Sequence, residues 1–347
     1  MITKINQLSH QTLPHKIYSI QLMRAIAALM VMFAHFLSDA EKYNKITTNI
    51  GTIKPYLLNG VDIFFFISGF VITLLYVTKN DSCSQFIKKR AIRILPTYYI
   101  FTFLAFCMWL IKPTLFNNAV DNRTDILASF LLIPSKPDHL HLLSVAWTLC
   151  FEVWFYAFFA LSIALFKRAV IIPITLYTVY LSFLLLSKNY GVATTPDNSF
   201  LNLLNSAYCL EFLTGSLFCY IYSFKKFKVI PILFLALGGL WIADTSMLLV
   251  TLMGIFLFLS LEIYSKYLPV PKFFILLGDS SYSLYLSHLL IMGAVKHIWD
   301  RFLGFASGDL VNIIWMLSMI LASIMFNLIY YKLIDQKTNQ YLCKKFL

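Results

Sequence analysis

Again and again along this 347-residue chain, about 20 residues pass with scarcely a charge, and that run length constrains the fold more than any other feature. A bilayer's hydrocarbon core is roughly 30 Å thick and an α-helix rises about 1.5 Å per residue, so each run is long enough to span. The runs are continuously apolar and lack the in-out alternation of barrel strands. With 59% hydrophobic and 13% charged residues the composition lies far outside that of soluble domains. The expected fold is therefore all-α: a polytopic membrane bundle of about ten transmembrane helices, forming one domain over 1–347 with no fused extracytoplasmic domain.

The ten spans are expected near 17–38, 56–78, 94–112, 143–166, 169–187, 200–223, 229–243, 245–265, 273–298 and 310–332. The formal charge of +12 sits in short clusters between the runs, such as "KKR" at 88–90 and "KKFK" at 225–228. This pattern reads as positive-inside topology rather than as a nucleic-acid surface, and it places both termini in the cytoplasm. The first run carries Arg24 and lacks a small-residue cleavage site, so it reads as a retained helix rather than a signal peptide. "DILASFLLIP" at 125–134 is too short to span and reads as re-entrant or interfacial. The six cysteines show no C-x-x-C spacing, so neither a disulfide framework nor a metal site is expected.

Polar residues inside such runs are expensive and point to function. Arg24 and His35 are eleven apart, which brings them to within about 20° of one helix face with about 16.5 Å between them along the axis. Asp62, near the outer end of the second span, is expected at the depth of His35, where a carboxylate can orient an imidazole. A helix cap is the structural alternative for Asp62, and a snorkelling anchor the alternative for Arg24. In the fourth span Thr148, Glu152 and Tyr156 recur at i, i+4 and i+8 as one polar stripe, a pattern that also suits interhelical bonding. Ser68, and Tyr282, Ser283, Tyr285 and His288 in "SYSLYLSH", add further polar groups to the bundle. Arg90 and Arg93, three apart at the inner edge of the third span, can grip a phosphate as a pair or serve as inner-face anchors.

Together these stretches resemble the acyltransferase-3 family of integral membrane O-acyltransferases. "IQLMRAIAALMVMFAHF" looks like the family's opening helix with its R-x10-H signature. "GVDIFFFISGFVI", the R-x-x-R of "RAIR", "AWTLCFEVWFY" and "SYSLYLSH" follow in the family's order, the fourth most like the exopolysaccharide, succinoglycan-type branch. The resemblance implies transfer of an acyl group, by default acetyl, from acetyl-CoA to a hydroxyl of a polysaccharide or lipid-linked oligosaccharide, in the bacterial inner membrane. It implies a catalytic role for His35, a role in the acyl-transfer pore for Arg24, and donor binding for Arg90 and Arg93. Trp147, Glu152, Tyr282 and His288 match motif positions without an assigned role. Glu152 and Asp62 are candidates to stabilise a protonated imidazole. Ser68, Trp147, Tyr156, Tyr282, Ser283 and His288 are candidates to line the substrate path.

Direct transfer is the expected route, with an acyl-enzyme through Ser68, Cys150 or His35 as the other. The rival function is a transporter or flippase of a lipid-linked saccharide, since intramembrane ionisable groups also mark transport pathways.

Overall fold

The computed structural model describes residues 17–42, 53–79, 81–113, 124–191, 198–303 and 309–347. Twelve principal helices run in chain order: α1 (Tyr18–Lys42), α2 (Gly60–Lys79), α3 (Cys83–Ile111), α4 (Trp147–Phe166), α5 (Ile171–Asn189), α6 (Ala207–Phe224), α7 (Ile230–Ala243), α8 (Thr245–Tyr267), α9 (Lys272–Asp279), α10 (Ser281–Leu303), α11 (Asp309–Tyr330) and α12 (Gln336–Phe346). No strand occurs among the described residues; one isolated bridge joins Thr124 to Leu140. The architecture is a polytopic helix bundle, as the run lengths require.

Each expected span falls on a helix, but the helices are not equally fit to face lipid. Seven are long and apolar enough to cross a membrane, and an eighth span forms if α9 and α10, bent by 77° at Ser280, are taken together. The other two expected spans are α6 and the apolar helix Phe227–Ala243, which is short. α6 has a different reason: it is the bundle's central post, buried from Cys209 to Tyr220, and carries Glu211, Thr214 and Ser216. A helix surrounded by other helices need not be apolar all round.

α2 and α6 cross in close contact. A Cβ placed at Gly69 would collide with the Phe212 carbonyl, and one at Gly215 with the Phe66 carbonyl, so the two backbones touch through reciprocal glycines. This is small-residue packing, which lets helices gain dispersion energy where apolar burial gives no advantage over lipid. Rings fill the space beside the crossing: Phe155 stacks on Phe212 at 3.5 Å, and Phe70, Phe218, Tyr222 and Phe258 form a cluster between α2, α6 and α8. The outward faces of α5, α8 and α11 expose Phe183, Phe256 and Met325, as lipid-facing surfaces do.

The 125–134 segment forms a single short helix, Ile126–Leu131, capped by Asp125, whose carboxylate accepts from the Ala128 N–H at 2.9 Å. It lies against α3, where Tyr98 and Tyr99 donate to the Ser129 and Phe130 carbonyls at 2.5 and 3.0 Å.

Candidate active site

The polar stripe of α4 faces the inside of the bundle. Thr148, Glu152 and Tyr156 line a cavity of about 130 Å³, together with Arg24 of α1, Ser68 of α2, Arg90 and Arg93 of α3, and Ser281, Tyr282 and Tyr285 of α10. Nine of the residues singled out in the sequence therefore converge on one space: Arg24, Ser68, Arg90, Arg93, Thr148, Glu152, Tyr156, Tyr282 and Tyr285. Three guanidinium groups face a single carboxylate, which makes the lining cationic.

Each arginine is held differently. Arg24 senses the charges of Glu152, Asp279 and Arg93. Arg90 lies over the rings of Phe86 and Tyr156, at 6.0 and 5.9 Å, and its buried Nε has no hydrogen-bond partner. Arg93 lies over the Tyr282 ring at 5.8 Å, donates to the Asp279 carbonyl at 3.5 Å and pairs with Asp335 at 3.9 Å. Tyr156 donates to Glu152 at 2.5 Å, and Tyr282 donates to the Ile94 carbonyl at 3.0 Å. Aromatic faces hold the Arg90 and Arg93 guanidinium planes, Arg93 with two further tethers, and the unpartnered Arg90 Nε leaves a donor for an anion.

His35 stands behind this wall rather than in it. Its ring centroid is 5.3 Å from that of His288, and the His288 ring is 6.1 Å from Tyr285. The Tyr285 hydroxyl is 2.9 Å from Thr148 Oγ1. A chain of rings and hydroxyls thus runs from His35 to the cavity wall. His288 Nδ1 donates to the Leu284 carbonyl at 3.1 Å, leaving its buried Nε2 without a partner. Lys54, ion-paired to Glu41 at 3.8 Å, is a charged neighbour of His35.

Three other expected residues go elsewhere. Asp62 lies beside the fully buried Glu211 of α6. Ser283 donates to Asn327 at 2.7 Å, and Asn327 in turn donates to Ser280 at 2.9 Å, bracing the α9–α10 bend. Trp147 points to the opposite face of α4, with its ring 5.4 Å from Tyr208 and 6.1 Å from Phe151.

Asp335 and Asn327 carry no signal in the runs beyond being lone polar residues near or within the last span. The one local mark of Asp335 is conformational: it ends a π-helical turn, Tyr331–Asp335, a distortion that frequently accompanies functional sites. Thr97 and Asn339 hold its carboxylate at 2.7 and 3.0 Å. No group of His, Cys, Asp and Glu suited to a metal ion occurs among the described residues.

Fold and cavity together define an integral membrane protein with a cationic chamber between its helices. The acyltransferase-3 family model, described as an acyltransferase domain, matches residues 17–332, and the chain belongs to that family. It is a membrane-embedded acyltransferase, which gives it a chemistry that the transporter reading lacks. The chain is also similar to the exopolysaccharide production protein ExoZ of Rhizobium meliloti (strain 1021), at 29% identity over 259 residues, covering 68% of this chain and 77% of that protein. No solved structure matches it.

Proposed function

We propose that the protein moves an acetyl group from cytoplasmic acetyl-CoA to a hydroxyl of an exopolysaccharide or its lipid-linked precursor, in the bacterial inner membrane. The observation that carries this reading is the convergence of Arg90, Arg93 and Arg24 on one chamber with Glu152 and Tyr156. Coenzyme A is a polyanion with a long thin arm. Arg90 and Arg93, at the end of the chamber nearest the basic inner loop, suit its phosphates, and the apolar lining from Phe64, Phe65 and Ile72 suits the pantetheine arm. The likeness to an exopolysaccharide production protein supports the acceptor class.

In the transfer, the acceptor hydroxyl oxygen bonds to the acyl carbon while its proton passes to the His35 imidazole. The thioester C–S bond breaks, and the CoA thiolate leaves and takes up that proton. Such base catalysis is typically worth about 10²–10⁴-fold. The ring-and-hydroxyl chain from His35 through His288 and Tyr285 to Thr148 gives the imidazole a connection to the chamber. Arg24, which lines the chamber with Glu152, stabilises negative charge on the reacting carbonyl. The domain works as a single unit with both termini in the cytoplasm.

The test is CoA release by the purified protein in lipid nanodiscs, supplied with acetyl-CoA and an oligosaccharide acceptor. His35→Ala is expected to lose at least about 10²-fold in kcat. A folded His35→Ala protein with retained turnover removes the base assignment, and acetyl-CoA binding indifferent to Arg90→Ala and Arg93→Ala removes the donor site.

A further inference from the structure

A second cavity, of about 230 Å³, lies on the other face of α4. Its wall includes Trp147 and Phe151 of α4, Ser135 of the preceding loop, and Ser199, Asn202 and Ser206 of the segment before α6. Its chemistry is the opposite of the first. No Lys, Arg, Asp or Glu lines it. His141, its imidazole lining group, is 2% exposed and already bonded to the Ile133 carbonyl at 2.9 Å. What remains is a half-exposed indole surrounded by hydroxyls and one carboxamide.

We propose that this cavity is the acceptor site, holding a neutral saccharide unit with Trp147 as the platform beneath the sugar ring and Asn202 and the three serines as partners for its hydroxyls. The inference rests on the acyl-transfer reading and adds to it the place of the second substrate. A cavity without charge has nothing to offer coenzyme A, and an arginine-lined one has no preference for an uncharged sugar. Hydroxyl and carboxamide groups both donate and accept, which matches a polyol whose every oxygen does the same. An indole gives a large apolar face at little entropic cost, and pockets that fix orientation through a few polar groups over an apolar base are the usual design for small ligands.

Rings in contact connect the walls of the two cavities. Phe65 lines the first and Phe151 the second, their centroids 5.5 Å apart, and Tyr208 packs on both at 5.3 and 5.6 Å. Along α4 the two surfaces alternate: Trp147 and Phe151 face the saccharide side, Thr148 and Glu152 the donor side. For transfer this ring contact has to part so that a sugar hydroxyl meets the acyl carbon. The C–O bond then forms, the C–S bond breaks and the hydroxyl proton leaves to the imidazole, as set out above.

The experiment measures initial rates of the full chain in nanodiscs, with acetyl-CoA and a chemically de-O-acetylated oligosaccharide from the producing cell's own exopolysaccharide. Trp147→Ala and Asn202→Ala are expected to raise the acceptor KM by about tenfold each, with the acetyl-CoA KM moving far less. Trp147→Phe, which keeps an aromatic face, is expected to recover most of that loss. Asn202 is exposed, so its variant reads the site even if truncating Trp147 disturbs folding. Acceptor KM unchanged within twofold in Asn202→Ala and in a folded Trp147 variant overturns the site, while His35 dependence in the same assay leaves the acyl-transfer reading standing. Absence of acceptor-dependent CoA release by the unaltered protein instead overturns the function itself.

Discussion

Arg93 shows how much a single side chain decides here. Its guanidinium meets the Tyr282 face, the Asp279 carbonyl and the Asp335 carboxylate, which belong to α10, the end of α9 and the π-helical turn. Lysine at this position would keep the charge but lose the planar fork and the stacking face. Arg93→Lys is therefore expected to weaken CoA binding by about tenfold, measured by calorimetry in detergent micelles, and not to behave as a conservative change. Asp335→Asn tests the tether: the arginine loses its charged partner, so donor KM is expected to rise while the His35-dependent step survives. Glu152 is the counterpart on α4. It accepts a hydrogen bond from the Tyr156 hydroxyl and is the carboxylate that lines the chamber with three arginines, so Glu152→Gln is expected to change donor affinity and turnover together.

At the scale of the element, stability rests on backbones that touch. Gly69 and Gly215 bring α2 and α6 together at the level where Phe155 and Phe212 stack, and no side chain fits between them. Gly215→Ala is expected to cost about 1–3 kcal/mol through overpacking and to lower the thermal unfolding midpoint in detergent. The short helix at Ile126–Leu131 depends on its cap instead. Burial opposes ionisation of Asp125, but the N–H groups of Ala128 and Lys136 and the charge of Lys136 outweigh it and hold the carboxyl below its usual value. A depressed carboxyl contributes stability that is present above its unfolded-state pKa and is lost as pH falls through the folded one. Local protection of this loop in hydrogen exchange is thus expected to fall on acidification, and Asp125→Ala is expected to remove about 1 kcal/mol of cap stability at neutral pH and abolish that pH response. The break between α9 and α10 has a legible cause: "GDSSYS" supplies polar side chains that Asn327 can brace, and broken membrane helices are tolerated where protein surrounds the freed backbone.

For the whole molecule the governing question is which side faces the cytosol. The loops expected to face the cytosol carry twice as many lysines and arginines as the others, and Arg90 and Arg93 lie at that end of α3. Cys343 is exposed on α12 and Cys83 half-exposed at the start of α3. A membrane-impermeant maleimide is expected to label both only after the inner membrane is opened. Labelling of Cys343 in intact spheroplasts would invert the topology and with it the direction of acyl delivery.

Much of this architecture was legible from the chain alone. Helices were required because a backbone in hydrocarbon must satisfy its own hydrogen bonds, and the polar residues worth watching were visible because lipid makes them costly. The spacing of Thr148, Glu152 and Tyr156 along one face was sufficient to predict that they act on one space. Which space was not legible. Asp62 was expected beside His35 and lies against Glu211, Trp147 serves a different cavity from its neighbour Thr148, and Asp335 reaches Arg93 from the far end of the chain. Sequence periodicity sets the angle between residues on one helix. The rotation and tilt of that helix against its neighbours come from side-chain packing among segments distant in sequence, and these alone decide which polar faces meet.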